Sequence, residues 1–282
     1  MLSSELIFLL RALHAELLKL KRTLAFRVIF VLPFFIALLQ FFVIWRTKKF
    51  PADFNLWQTH ATNSFQIWAI FMMPLLIALE TALLNGIEHA DKQWKHLFAL
   101  PVPRHSIYFS KFITAAGLIL ASTLVLALLI VIVGVVATSL RPELVSSSLR
   151  AATSSVGATG SSVGAGPSGA GSLRYFGLGV VPYFWIAKLA LEVWLASWLI
   201  IAIHTWISMR WAGFPIPLGA GIGGTFFALF AASAAIGKYY PWLLPMNLFL
   251  DGRFTTALVL GIGGGILATL LGCFEFVRRD VS

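Results

Sequence analysis

Six long apolar stretches, each able to cross a bilayer as a helix, constrain this chain more than any motif it carries. They run at about Leu24–Trp45, Phe65–Leu84, Ile107–Thr138, Val181–Ile207, Ile216–Ile236 and Thr255–Val277. A helix of about 20 apolar residues spans the ~30 Å hydrocarbon layer. The runs are continuous and do not alternate at every second residue, which selects helices over a transmembrane barrel. Only 11% of the residues are charged and 59% are hydrophobic, whereas soluble domains carry roughly 25% charged residues. The expectation is an all-α polytopic membrane protein, one domain over residues 1–282 with six transmembrane helices.

The first 22 residues do not read as a cleaved leader, because Glu5 precedes the apolar run and no small-residue cleavage site follows it. Leu6, Leu10, Leu13 and Leu17 recur at helical spacing, with Arg11, His14, Lys19, Lys21 and Arg22 at polar positions. That pattern predicts an interfacial helix over about residues 4–22 that feeds the first span. With the N-terminus inside, twelve Lys and Arg residues fall on the cytoplasmic side and eight on the other, a bias that places both termini inside. The net charge of +10 then reflects topology and attraction to anionic lipid in the bilayer. No basic stripe with interleaved aromatics argues for nucleic acid.

Residues 146–172 are Ser, Gly, Ala and Thr with almost no large side chains, too little apolar surface to offset ordering. They predict a flexible extracytoplasmic loop over about 141–175 that divides the spans into two sets of three. Cys273 can form no internal bridge, and neither metal-ligand spacing nor a phosphate-binding Gly-rich loop occurs. Gly219 with Gly223, and Gly261 with Gly265, have the small-xxx-small spacing that lets helices approach closely.

Between the second and third spans lies a charged interruption, Asn85–Arg104. Glu88 with Lys92 and Asp91 with Lys95 are spaced i,i+4, acid first, and Trp94, Leu97 and Phe98 share another face. Pro101 and Pro103 stop the helix. Such an element suits a partner's groove, or equally the lipid headgroups.

Two segments resemble the permeases of ABC-2 type transporters. One is Glu16-Leu17-Leu18-Lys19-Leu20-Lys21-Arg22-Thr23, running into a first span with Pro33. The other runs from Glu80 through Gly86, Glu88, Trp94 and Leu100-Pro101-Val102-Pro103-Arg104 to Ile107-Tyr108-Phe109-Ser110-Lys111. The chain is similar to the small permease subunits of bacterial lantibiotic-immunity and related exporters, although the long Ser/Gly/Ala loop departs from that pattern. The resemblance implies a division of labour. A separate ATP-binding-cassette subunit binds ATP and Mg and hydrolyses the nucleotide, while this chain holds no cofactor and is not an enzyme. Two permease chains, identical or related, form the path in the bacterial plasma (inner) membrane. The resemblance also makes Gly86–Leu97 the cytoplasmic coupling helix, with Glu88, Asp91, Lys92, Trp94 and Lys95 as contacts to the ATPase.

Ionisable groups inside spans are costly and point to function by default. Lys188 and Glu192 lie four apart in the fourth span, with His204 further along, and form a candidate intramembrane polar site. The plainer reading is a pair that neutralises itself, Lys188 reaching outward. Glu80, near the inner end of the second span, reads as an interfacial organiser of the coupling helix. An ion-coupled transporter would use such carboxylates as ion sites, and a lipid-modifying membrane enzyme would need clustered His, Asp or Arg that this sequence scatters.

The topology is open to direct test. After replacement of Cys273, cysteines placed at His89 or Ser282 are expected to resist an impermeant thiol reagent in intact cells, and one at Ser161 to react. Labelling of His89→Cys and Ser282→Cys from outside would overturn the assignment.

Overall fold

The computed structural model describes residues 2–20, 23–47, 56–90, 102–140, 181–211 and 213–278, and among them every regular element is helical. The first half comprises α1 (Leu2–Leu20), α2 (Leu24–Arg46), α3 (Leu56–Ile67), α4 (Met73–Ala90) and α5 (Arg104–Leu140). The second comprises α6 (Tyr183–Ala196), α7 (Trp198–Arg210), α8 (Pro215–Ala231), α9 (Phe254–Val259) and α10 (Gly265–Arg278). A π turn at Trp68–Met72 joins α3 to α4, and another at Leu260–Gly264 joins α9 to α10.

Among the described residues four helical stretches are long and apolar enough to cross a bilayer: Leu24–Arg46, Leu56–Gly86, Arg104–Leu140 and Phe254–Arg278. A fifth candidate span is a bent pair: α6 and α7 meet at 43° around Ser197. The Ser197 hydroxyl donates to the Trp194 carbonyl at 2.6 Å and its amide bonds the same carbonyl, tightening that turn and bending the helix. The sixth expected span is the 17-residue α8, about 25 Å long and short of the hydrocarbon thickness.

Two differences from the sequence reading have physical causes. The second stretch begins at Leu56, well before Phe65, because Leu56, Trp57, His60, Ala61 and Ser64 are buried despite their modest hydropathy. His60 Nε2 lies 3.2 Å from the Ile130 carbonyl of α5, so polarity there faces a neighbouring helix. The segment between α8 and α9 also folds into the bundle, burying Leu243, Leu244 and Asn247. Asn247 Nδ2 donates to the carbonyls of Gly237 at 2.9 Å and Lys238 at 3.2 Å. That satisfies carbonyls at the end of the 3₁₀ turn Ala235–Lys238, which lipid could not.

Alanines take many interior positions, beside a few large side chains such as Phe65, Trp68 and Tyr108. Ala61, Ala69, Ala78, Ala190, Ala196 and Ala202 are fully enclosed, while Phe34, Phe184 and Phe230 are among the exposed large side chains. Lipid is as apolar as leucine, so burying bulk gains little, and small residues win the helix contacts by allowing close approach. Some hydroxyls inside are satisfied within their own helices: Ser64 donates to His60 O at 2.7 Å and Thr123 to Ile119 O at 2.8 Å.

α1 packs along α5, and it docks through Glu16 and Leu20, which are buried, leaving Leu6, Leu10 and Leu17 of the leucine stripe exposed. An interfacial helix would turn that stripe to lipid. The expected loop over 141–175 lies outside the described residues.

The glycine spacings divide. A methyl added at Gly261 would fall 2.6 Å from the Ala196 Cα, and one at Gly265 2.8 Å from the Trp198 Cβ, so this pair does seat the bend against the last crossing. Nothing lies within 4 Å of Gly219 or Gly223; on α8 it is Gly221 and Gly224 that meet neighbours, Ala78 with His204 and Trp242 respectively. Only neighbours decide which of several glycines is a contact. Gly261→Ala is expected to cost about 1–3 kcal/mol, and Gly219→Ala to be neutral or stabilising by up to ~1 kcal/mol. Survival of the detergent-solubilised chain after graded heating, read by size exclusion, checks the contrast.

Candidate functional site

Contacts with α7, α8, α1 and α2 fasten α4, the helix that leads into the predicted docking segment. Asn85 Nδ2 donates to the Ser208 hydroxyl of α7 at 2.7 Å and to its own Thr81 carbonyl at 3.0 Å. Ala78 sits against Gly221 of α8. Leu83 and Leu84 line a small cleft closed by Glu16, Leu20 and Ala25 from α1 and α2. An interhelical hydrogen bond in a membrane contributes about 0.6 kcal/mol on average and at most ~1.7. The close packing at Ala78 therefore outweighs the Asn85 bond in holding α4.

At the end of the bundle where α4 finishes, basic groups gather. Arg104 Nη1 donates to the Val277 carbonyl at 3.1 Å, and Arg210 Nε lies 3.5 Å from Glu275 Oε1. Trp206 Nε1 donates to Glu275 Oε2 at 2.6 Å, and the Arg278 guanidinium lies 3.8 Å from the Phe274 ring centroid. α5, α7 and α10 are thus tied together at one level.

The predicted site residues fare differently. Lys188 Nζ lies 3.7 Å from Glu192 Oε1, with the lysine side chain 60% exposed and the glutamate 18%; the two meet as a pair. His204 is not part of it: it lies past the Ser197 bend, fully buried, its ring edge-on to Trp242 at 5.5 Å. Neither His204 ring nitrogen has a hydrogen-bond partner among the described residues. Glu80 does not sit at a surface, as an interfacial organiser would; it is completely enclosed, and neither carboxylate oxygen has a partner among the described residues. Glu88 falls in the last turn of α4. Asp91, Lys92, Trp94 and Lys95 lie outside the described residues.

The structure also joins residues that sequence reasoning left apart. Lys111 of α5, almost wholly buried, pairs with Glu16 Oε2 at 3.4 Å, and Glu16 Oε1 takes Lys19 at 3.2 Å. Both Glu16 and Lys111 belong to the segments that resemble a permease. An acid on a basic amphipathic helix and a lysine just inside an apolar run were the available signal, but nothing in their spacing couples them.

A bundle of long apolar helices with several candidate spans defines a polytopic membrane protein. A family model described as ABC-2 family transporter protein matches residues 12–157, from α1 through α5 and beyond. The chain belongs to the ABC-2 family, and it is accordingly a membrane component of an ABC transporter. No curated protein and no solved structure matches it.

The Lys188–Glu192 pair is expected to be neutralising. Lys188→Met and Glu192→Leu should each lower the melting temperature of the solubilised chain, and the double replacement should recover most of the loss, as a double-mutant cycle requires. Normal transport in the recovered double variant would remove the pair from any pathway.

Proposed function

We propose that this chain is the permease subunit of an ABC exporter, worked by a separate ATP-hydrolysing subunit that seats the coupling helix Gly86–Leu97 in a groove. The observation that carries this reading is α4. It continues without a break from the bundle interior to Ala90, so the docking segment grows directly out of a helix clamped by α7 and α8. The family match spans the same region, residues 12–157. A pull on Gly86–Leu97 by closing ATPases would tilt α4 against those neighbours. The energy enters as differential contact with two states of the bundle.

In this reading α8 and the 3₁₀ turn Ala235–Lys238 complete a sixth crossing, and both termini face the cytoplasm of a bacterial plasma membrane. Two such chains, identical or related, enclose the path, and ATP with Mg belongs to the partner. Glu88, Asp91, Lys92, Trp94 and Lys95 supply the contact to that partner.

Trp94 is the largest apolar side chain of the coupling segment. Truncating a buried aromatic anchor costs at least about 2 kcal/mol, so Trp94→Ala should weaken ATPase-subunit binding by roughly 30-fold or more while the chain still inserts. Glu88→Lys with Asp91→Lys should give a similar, salt-sensitive defect. Pull-down affinity and ATPase activity of the reconstituted complex are the measurements. Unchanged association in all these variants would mean that the segment rests on the bilayer.

A further inference from the structure

Two arginines stand exposed where α7 and α10 finish, and they flank one carboxylate. Arg210 is the last residue of α7 and Arg278 the last of α10. Glu275, one turn before Arg278, meets Arg210 Nε at 3.5 Å, with the arginine side chain 43% exposed and the glutamate 40%. A charge-assisted hydrogen bond is shorter, about 2.7–2.9 Å, so this is a loose, wetted pair of the kind that holds little by itself. Glu275 is also engaged by Trp206, whose Nε1 donates to its other oxygen at 2.6 Å. Arg278 lays its guanidinium on the exposed ring of Phe274, 3.8 Å from the centroid. Stacking of that kind uses the face of the group and leaves its N–H edge for an acceptor.

These groups lie at the depth where a hydrocarbon layer ends. Phe254–Arg278 is long and apolar enough to cross a bilayer, so its final turn falls at headgroup level. Trp211, exposed next to Arg210, sits edge-on to Trp206 at 5.3 Å, and indoles are favoured at that same depth. Arg104 donates to the Val277 carbonyl, which brings a third guanidinium to the last turn of α10. Below that turn, Leu267, Leu270, Leu271 and Phe274 present an exposed apolar flank.

We propose that Arg210 and Arg278, with Trp211 beside them, form a seat for the phosphate of an anionic phospholipid at the junction of α7 and α10. The phosphate takes the outward N–H edges of the guanidinium groups, in the planar two-bond geometry that arginine offers to phosphate. The acyl chains then lie along the leucines and Phe274 of α10. Glu275 competes within the seat, holding Arg210 until the phosphate takes it over. Charge selects the head: anionic lipid meets a basic site between helix ends favourably, whereas a choline head sets its own cation beside the arginines. The seat depends neither on the ATPase contact nor on which side of the membrane this end of the bundle faces.

The test counts the lipid that stays with the detergent-solubilised full chain, by native mass spectrometry after mixing with equal amounts of phosphatidylglycerol and phosphatidylcholine. The unmodified chain should retain at least threefold more phosphatidylglycerol. Arg210→Gln with Arg278→Gln should remove that excess and leave the phosphatidylcholine unchanged. Arg46→Gln with Lys238→Gln, which takes equal charge from the opposite end of the bundle, should keep most of the excess; an equal loss there would mean that net charge alone attracts the lipid, and would overturn the seat. Glu275→Gln keeps an acceptor oxygen for Trp206 while it frees Arg210, and should raise the retained phosphatidylglycerol at least twofold. No rise in that variant is equally fatal. Inorganic phosphate in excess should displace little of the lipid, and complete displacement would assign the arginines to the free ion instead.

Discussion

Close approach of helix backbones at small residues is the contact on which the rest of this bundle depends. In lipid there is no water to expel from between helices, so association must come from packing and from polar groups that find partners. Ala78 against Gly221, and Ala196 against Gly261, supply that packing at two places. The first seats α4 on α8 beside His204; the second seats the bend between α6 and α7 against the last crossing. Many phenylalanines, Phe34, Phe184 and Phe230 among them, lie on the outside, while Phe65, Trp68 and Tyr108 fill the interior.

Polar groups add position more than strength. Ser122 of α5 donates to the Ile29 carbonyl of α2 at 2.8 Å, Trp194 of α6 to Ala116 O of α5 at 2.9 Å, and Asn85 of α4 to Ser208 of α7. Each is worth at most about 1–2 kcal/mol, but each permits one rotation and one depth for its helix. The buried Glu16–Lys111 pair has the same character at higher stakes. Replacing such a pair by apolar residues is often neutral, whereas removing one partner alone costs about 3–5 kcal/mol. It fixes α1 on α5 more than it stabilises the bundle.

The apolar runs of the first, third and last crossings were legible almost to the residue: Leu24–Arg46, Arg104–Leu140 and Phe254–Arg278 lie within three residues of the stretches read from hydropathy. Hydropathy failed where polarity is turned inward, as at His60 and Ser64, and where short helical turns fold into the bundle, as around Asn247. It could not choose between Gly219 and Gly221, which are equally small. The Lys188–Glu192 pairing was legible because it is local, one helical turn apart.

By itself the sequence determined the class of protein, the helical state of its spans and the amphipathic character of its first helix. Each follows from short-range periodicity and from the cost of bare backbone in lipid. Only the tertiary structure decided that α1 docks by Glu16 and Leu20 and not by the Leu6, Leu10 and Leu17 stripe, that Lys111 pairs with Glu16, and that Glu80 stands enclosed with no partner among the described residues. Those outcomes depend on the rotation and depth of helices far apart in the chain. Periodicity within one helix contains no term for either.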